Sequence, residues 1–228
     1  MISEDNILLD CKPTRAEIEH LISPSRSVML RNCDLSGLDL SHLDLSGWLF
    51  ERCGLTGADF TGARLEESRF KGGRATGACF LGAELLGATI DGGDFSNTNF
   101  RGATLSSTEL LHCKMTGTDM TEARVLDVTF EDVLLVLAFL PRLSFRKAVL
   151  KQVDFSEADL RFCDFRNAVF EDCSLRGAYL QECRFEGADL RGADIGGVKI
   201  TDAKRYKGAI ISKQQAAHLL GQLGLQVF

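Results

Sequence analysis

Ala188-Asp189-Leu190-Arg191-Gly192-Ala193-Asp194-Ile195 holds two consecutive copies of a five-residue unit, small-x-large-x-x, and stepping outward from it by fives lands on Leu or Phe almost every time. Between Leu30 and Ile210, 37 positions are multiples of five; 16 are Leu and 12 are Phe, and Arg205 is the single polar residue among them. Two residues before each lies a second regular position, held by Ala 15 times and by Cys six times. A period of five fits neither an α-helix at 3.6 nor a flat strand at 2.0, so both positions can face inward only if the chain turns a corner in every unit. Four corners bring residue n beneath residue n+20, at the roughly 4.8 Å spacing of neighbouring strands. Fixed-period self-similarity of this kind is the mark of a solenoid, here of roughly nine coils and about 43 Å on that spacing.

The units Ala58-Asp59-Phe60, Ala158-Asp159-Leu160, Ala188-Asp189-Leu190 and Ala193-Asp194-Ile195 resemble the A-(D/N)-L-x-x repeat of the pentapeptide repeat family, and the resemblance covers about four fifths of the chain. Known members of that family fold as a right-handed quadrilateral β-helix. The resemblance therefore implies an all-β solenoid over residues 28–210, with an N-terminal cap at 1–27 and a C-terminal helix and strand at 211–228.

Both ends carry signals of their own. Thr14-Arg15-Ala16-Glu17 after Pro13 has the pattern of a capping box, with Ile18, Leu21 and Ile22 on one helical face and Ser23-Pro24 as the stop. Beyond it Leu38, Leu43 and Trp48 stand where later coils take Ala or Cys, which predicts a core widened beneath a short capping helix. A second capping box, Ser212-Lys213-Gln214-Gln215, precedes Ala216, Leu219, Leu220 and Leu223 at helical spacing, with Gly224 at the stop. Leu225-Gln226-Val227-Phe228 then alternates like a strand. The order helix, Leu-Gly, strand resembles the tail of the Qnr-type quinolone-resistance proteins, carried here by Gln215, Ala216, Leu219, Leu223, Gly224 and Val227. That resemblance implies tail-to-tail homodimerisation, through Leu219, Leu220, Leu223, Leu225 and Val227; a helix that simply covers its own last coil is the alternative.

Composition narrows the function. A net charge of −6, from 26 basic and 32 acidic residues, disfavours direct nucleic-acid binding and favours a basic partner surface. The N-terminus lacks the pattern of a signal peptide and no apolar run approaches the roughly 18 residues of a spanning helix, so a cytoplasmic chain without a membrane role is expected. Six of the eight cysteines occupy the small inward position and read as core hydrophobes, although Cys33 with Cys53 and Cys163 with Cys183 stack one coil apart. The four histidines are scattered, and no C-x-x-C, G-x-S-x-G, phosphate loop or dinucleotide fingerprint appears. A packed rod offers no substrate cavity, so neither an enzyme nor a cofactor or metal is expected.

What remains is the surface. On the face built around Leu40, Phe60 and Phe80, the acidic residues Asp39, Asp59, Asp119, Glu122, Asp159, Glu182 and Asp202 outnumber Arg101, Arg142, Arg161 and Lys199, seven against four. The run Val133 to Pro141 has no hydrogen-bonding side chain, and if it stays on the coil it turns Leu134, Val136, Leu137 and Phe139 outward; an insertion of five or ten residues that leaves the coil keeps the count as well. Contiguous exposed apolar surface marks an interaction site. By resemblance to the Qnr-type proteins, the expected partner is a type II topoisomerase, DNA gyrase, protected from quinolones or a natural gyrase poison by an acidic rod that mimics duplex DNA. Expected contacts are Asp39, Asp59, Asp119, Glu122, Asp159, Leu134, Leu137 and Phe139. The alternative is a general interaction scaffold that uses the apolar 133–141 segment.

Overall fold

As far as the last coil, inward residues of the repeat stack on their counterparts twenty positions later, and the resulting rod is a parallel β-solenoid with four faces. The computed structural model describes residues 6–23, 27–198, 203–222 and 224–226. Along one face run the strands β2 (Met29–Arg31), β3 (Leu49–Glu51), β4 (Arg69–Lys71), β5 (Thr89–Asp91), β6 (Glu109–Leu111), β7 (Thr129–Leu134), β8 (Val149–Asp154) and β9 (Val169–Glu171). All pairs are parallel, in register Leu30↔Phe50, Phe50↔Phe70, Phe70↔Ile90. The other three faces are held by single bridges at the same interval, such as Asp59↔Cys79 and Arg64↔Glu84. The short strands β10 (Cys173–Ser174) and β11 (Ala193–Asp194) continue the ladder to the C-terminal coils.

The corners explain the two variable letters of the repeat. Two residues after nearly every large inward side chain the backbone takes a left-handed φ, which Gly57 and Gly77 adopt at +65° and +69° without steric cost. The Asp or Asn of the unit closes the same corner: Asp59 accepts the Thr61 N–H at 2.8 Å and Asp154 accepts that of Ser156 at 2.8 Å. The acidic residues of the repeat therefore have a local structural task before any functional one.

Inside, the ladders pack face to face. Phe60, Phe80 and Phe100 are fully buried and stack at 4.8 and 4.6 Å between ring centroids. Phe50 and Phe70 form a second column at 4.7 Å. In the C-terminal coils the aromatic column moves to another face, where Phe145, Phe165 and Phe185 stack at 4.9 and 5.0 Å. Each such side chain contributes about 1.5–3 kcal/mol by burial. Two threonines in the small position satisfy each other in place: the Thr98 and Thr118 hydroxyls meet at 2.8 Å, and Thr118 also donates to the Thr98 carbonyl at 3.0 Å.

Val133 to Pro141 lies on the coil. Leu135 and Leu140 are buried, and Phe139 pairs with Asp119 on one side and Asp159 on the other. All eight cysteines are free thiols. The Cys11 and Cys33 sulfurs lie 3.3 Å apart, which places the first thiol of the chain directly on the Cys33 and Cys53 ladder. Burial pushes the thiols of Cys53, Cys113 and Cys183 up to about 12, as befits core hydrophobes.

The caps follow from their own chemistry. Helix α1 (Arg15–Leu21) starts at Thr14 with the reciprocal Thr14–Glu17 capping box, buries Ile18, and sends Arg15 to the carbonyls of Asp39 and Ser41 at 3.1 and 3.2 Å. Leu43 and Trp48 are buried in this first coil and Leu38 is partly buried. An additional strand not foreseen in the sequence, β1 (Ile7–Leu9), joins the ladder against β2 with Leu8↔Leu30. At the other end helix α2 (Lys213–Gln222) begins with the expected capping box: the Ser212 N–H donates to Gln215 Oε1 at 2.7 Å, and the Gln215 N–H to Ser212 Oγ at 3.2 Å.

The five-residue register expected to reach Ile210 slips by one before that point. The Phe185 N–H donates to the carbonyl of Arg205, and the Leu190 N–H to that of Ile210, each one residue late, after a 3-10 turn at Ala203–Tyr206. Tyr206 rather than Arg205 stacks on Phe185, at 5.0 Å, and Ile210 is left 47% exposed. The extra residue lets an aromatic close the Phe145–Phe165–Phe185 column and keeps the guanidinium out of the core.

Candidate interaction surface

Asp39, Asp59, Asp119, Phe139 and Asp159 lie on one line. They are rungs of a single ladder that continues Asp39↔Asp59↔Cys79↔Asn99↔Asp119↔Phe139↔Asp159↔Tyr179, seven steps or about 34 Å along the rod. Their charges are partly committed. Asp39 accepts from Ser41 and pairs with Arg15 at 2.6 Å on α1. Asp159, its side chain 13% exposed, is clasped by Arg161 at 2.6 Å, and that hydrogen bond together with the neighbouring N–H holds its carboxyl below the usual range. Asp59 and Asp119 accept from the corner residues Thr61 and Thr121. Glu122 stands exposed on the next corner at φ +63°.

A net charge of −6 spread over about 43 Å is one net charge per about 7 Å of axis, roughly a quarter of the density of duplex DNA, which carries one per 1.7 Å. Charge alone makes a weak imitation of a duplex. The apolar strip is the sharper feature. Leu134, Leu137 and Phe139 are 42%, 51% and 51% exposed and wrap one corner of a single coil. Leu137 adopts φ +58° on a corner ladder where Gly117 and Gly177 serve, and a bulky residue held left-handed and exposed costs conformational energy without the return of burial. Phe162, also left-handed at +66°, is exposed under the guanidinium of Arg142, 4.6 Å from the ring centroid. Tyr179, 63% exposed, ends the ladder. Phe162 and Tyr179 were missed in the sequence, where a bulky residue at the left-handed corner was the legible signal for Phe162.

The C-terminal residues divide. Leu219 packs against the last coil, whereas Leu220 and Leu225 are exposed; Leu223 and Val227 lie outside the described residues. Gln215 does what no apolar residue could, its Nε2 donating at 2.7 Å to the carbonyls of both Leu190 and Ala193 and so satisfying the exposed edge of the final coil. An open groove of about 710 Å³ lies between that coil and α2, but its charged groups are engaged locally, Arg176 with Asp194 at 2.7 Å and Arg191 with Asp189 at 2.6 Å. Among the described residues no group of three or more His, Cys, Asp or Glu could hold a metal ion, and no helix is long and apolar enough to cross a membrane.

The repeat aspartates set the acid limit of the fold. Hydrogen bonds to Ser41, Ser96, Arg161 and Arg191 favour the ionised forms of Asp39, Asp94, Asp159 and Asp189 and lower their pKa values below the ordinary carboxylate value. A carboxyl lowered by folding adds stability that is fully present above about pH 4 and is lost as the pH falls through the folded value. The thermal midpoint is therefore expected to be flat from pH 8 to 5 and to drop below pH 4. A midpoint unchanged at pH 3 would mean that these corners gain nothing from their charge.

Comparison with known proteins agrees with the geometry. The profile described as pentapeptide repeats matches eight copies, over residues 33–72, 74–106, 83–121, 142–172 and 168–204. Among solved structures, full-length QnrB1, described as a plasmid-mediated fluoroquinolone resistance protein, is similar with a TM-score of 0.62 at 19% identity, over 96% of this chain and 97% of that one. A trypsin-treated QnrB1 variant gives 0.61 at 20% identity over 97% of both chains. Among curated proteins none matches this sequence. With a repeat profile that covers well over half its length and the four-faced solenoid that this repeat builds, the chain belongs to the pentapeptide repeat family.

Proposed function

We propose that this protein is a non-enzymatic, cytoplasmic binding rod whose partner is a type II topoisomerase, DNA gyrase in the first instance, and that it protects that enzyme from quinolones or a natural poison. Likeness to QnrB1 over nearly the whole of both chains supports the reading. The observation that carries the contact surface is the strip Leu134, Leu137 and Phe139, set between Asp119 on one neighbouring coil and Asp154, Glu157 and Asp159 on the other. Its occupant is a basic surface with apolar residues among its cations, since apolar anchors supply affinity while the carboxylates steer approach. A homodimer joined tail to tail through the exposed Leu220 and Leu225 doubles the rod.

The test is a gyrase supercoiling assay with a fluoroquinolone present. Wild-type protein is expected to restore supercoiling, and L137D/F139D to weaken the effect at least about a hundredfold, the scale of a lost hot spot. Asp119→Lys with Asp159→Lys is expected to weaken it further as salt is lowered. A wild-type chain without effect on gyrase or its paralogue would overturn the topoisomerase reading. Because the strip is exposed whatever the partner, the second reading, a scaffold for an unrelated protein, then takes its place.

A further inference from the structure

The wall of the rod is open along one face between two adjacent coils. In the intact wall each coil receives backbone bonds from the one before in a fixed pattern: Gly102, Leu105 and Ser107 donate to Thr121, Arg124 and Leu126, while Arg124 and Thr129 donate back to Ala103 and Thr108. One coil further on, the equivalent donors Glu122, Val125, Asp127, Ser144 and Val149 make none of these bonds, and the next coil resumes the pattern with Arg142, Phe145 and Lys147 donating to Arg161, Asp164 and Arg166. The bridge series shows the same break: Thr104↔Arg124 and Ser144↔Asp164 are present and the rung between Arg124 and Ser144 is missing. Ala123, Val125 and Val128, inward by register, are only partly buried there.

Two changes of side-chain volume coincide at the break and are assigned as its cause together, since Leu43 fills the equivalent slot beside the intact rung Asp44↔Arg64. The small ladder Ala63, Ala83, Ala103, Ala123 meets Leu143, a large residue buried in a small slot. On the same face Leu65, Leu85 and Leu105 give way to Val125 and then to Phe145, which stacks on Phe165 but has only Val125 on its other side and meets Phe130 of the neighbouring face at 57°. Across the square cross-section the opposite face is the best knit: β7 and β8 are six residues each, run round a corner, and pair through Val133↔Val153 and Leu134↔Asp154. The pentapeptide repeat profile independently leaves residues 122–141 unmatched.

We infer that the rod is hinged, two stiff blocks of coils flexing about the β7–β8 spine by opening and closing this seam. Opening lengthens the seam face, so the face that carries Leu134 becomes the concave one and curves around a convex partner. The hinge itself does not depend on what the rod binds.

Residue-resolved hydrogen–deuterium exchange on the full chain tests it without any partner. The amides of Val125, Asp127 and Ser144 are expected to exchange at least about a hundredfold faster than those of Leu105, Ser107 and Asp164, because exchange reports local opening. Equal protection would overturn the hinge. In a second sample, Val125→Leu with Leu143→Ala, which restores the ladder of the neighbouring coils, is expected to bring the seam amides to the protection of their neighbours. Fast exchange that this variant leaves unchanged would overturn the assignment of the seam to these side chains.

Discussion

Phe165→Ala is expected to destabilise the rod by about 3–5 kcal/mol, the range for truncating a fully buried aromatic. The ring is 0% exposed and sits between Phe145 and Phe185, at 4.9 and 5.0 Å, with Phe155 edge-on at 6.4 Å. A solenoid cannot collapse onto the resulting void as a globular core can, because the backbone ladder holds neighbouring coils about 4.8 Å apart. Phe165→Leu, by contrast, puts on that face the residue that Leu65, Leu85 and Leu105 already supply, and should cost less than about 1.5 kcal/mol. Chemical denaturation of both variants measures the difference. A cost near zero for the alanine would mean that the five-residue register does not point inward.

Ala83→Asp is expected to cost still more, above about 4 kcal/mol, enough to unfold the central coils. Ala83 is fully buried between Ala63 and Ala103, so an introduced carboxylate would lie among methyl groups without a donor. Burial disfavours its charged form and raises its pKa, so the penalty is largest at neutral pH and eases as the pH falls and the group protonates. This runs opposite to the repeat aspartates, whose contribution disappears in acid. Ala83→Cys separates size from charge: Cys163 and Cys183 hold the same rung position in later coils, and the thiol should cost at most about 1 kcal/mol. Thermal midpoints of the two variants at pH 7 and pH 5 distinguish the cases; an aspartate variant as stable as the cysteine one would place residue 83 at the surface.

The docking proposed at Leu137 and Phe139 raises a different kind of question, because nothing in the core depends on them. Both lie outward on a coil whose inward residues, Leu135, Ala138 and Leu140, are buried. Polar residues there would leave the fold intact and relieve strain at the left-handed corner of Leu137. The apolar strip is thus better explained by a partner than by the rod itself.

Periodicity alone determined the solenoid, the inward ladders and both helical caps, because each depends on interactions between residues a fixed number of positions apart: five along the chain, twenty across coils, three within a capping box. The aligned carboxylates and the outward strip were legible for the same reason. Tertiary structure alone decided what breaks that local rule. It kept residues 133–141 on the coil, since bridges to Asp119 and Asp159 hold Phe139 there. It moved the register by one so that Tyr206, not Arg205, closes the aromatic column. It turned Asp39 from an open charge into the partner of Arg15 on α1, and it opened the wall beside Val125. These outcomes depend on how side chains of unequal volume and charge meet across neighbouring coils, which a count of positions along one chain does not contain.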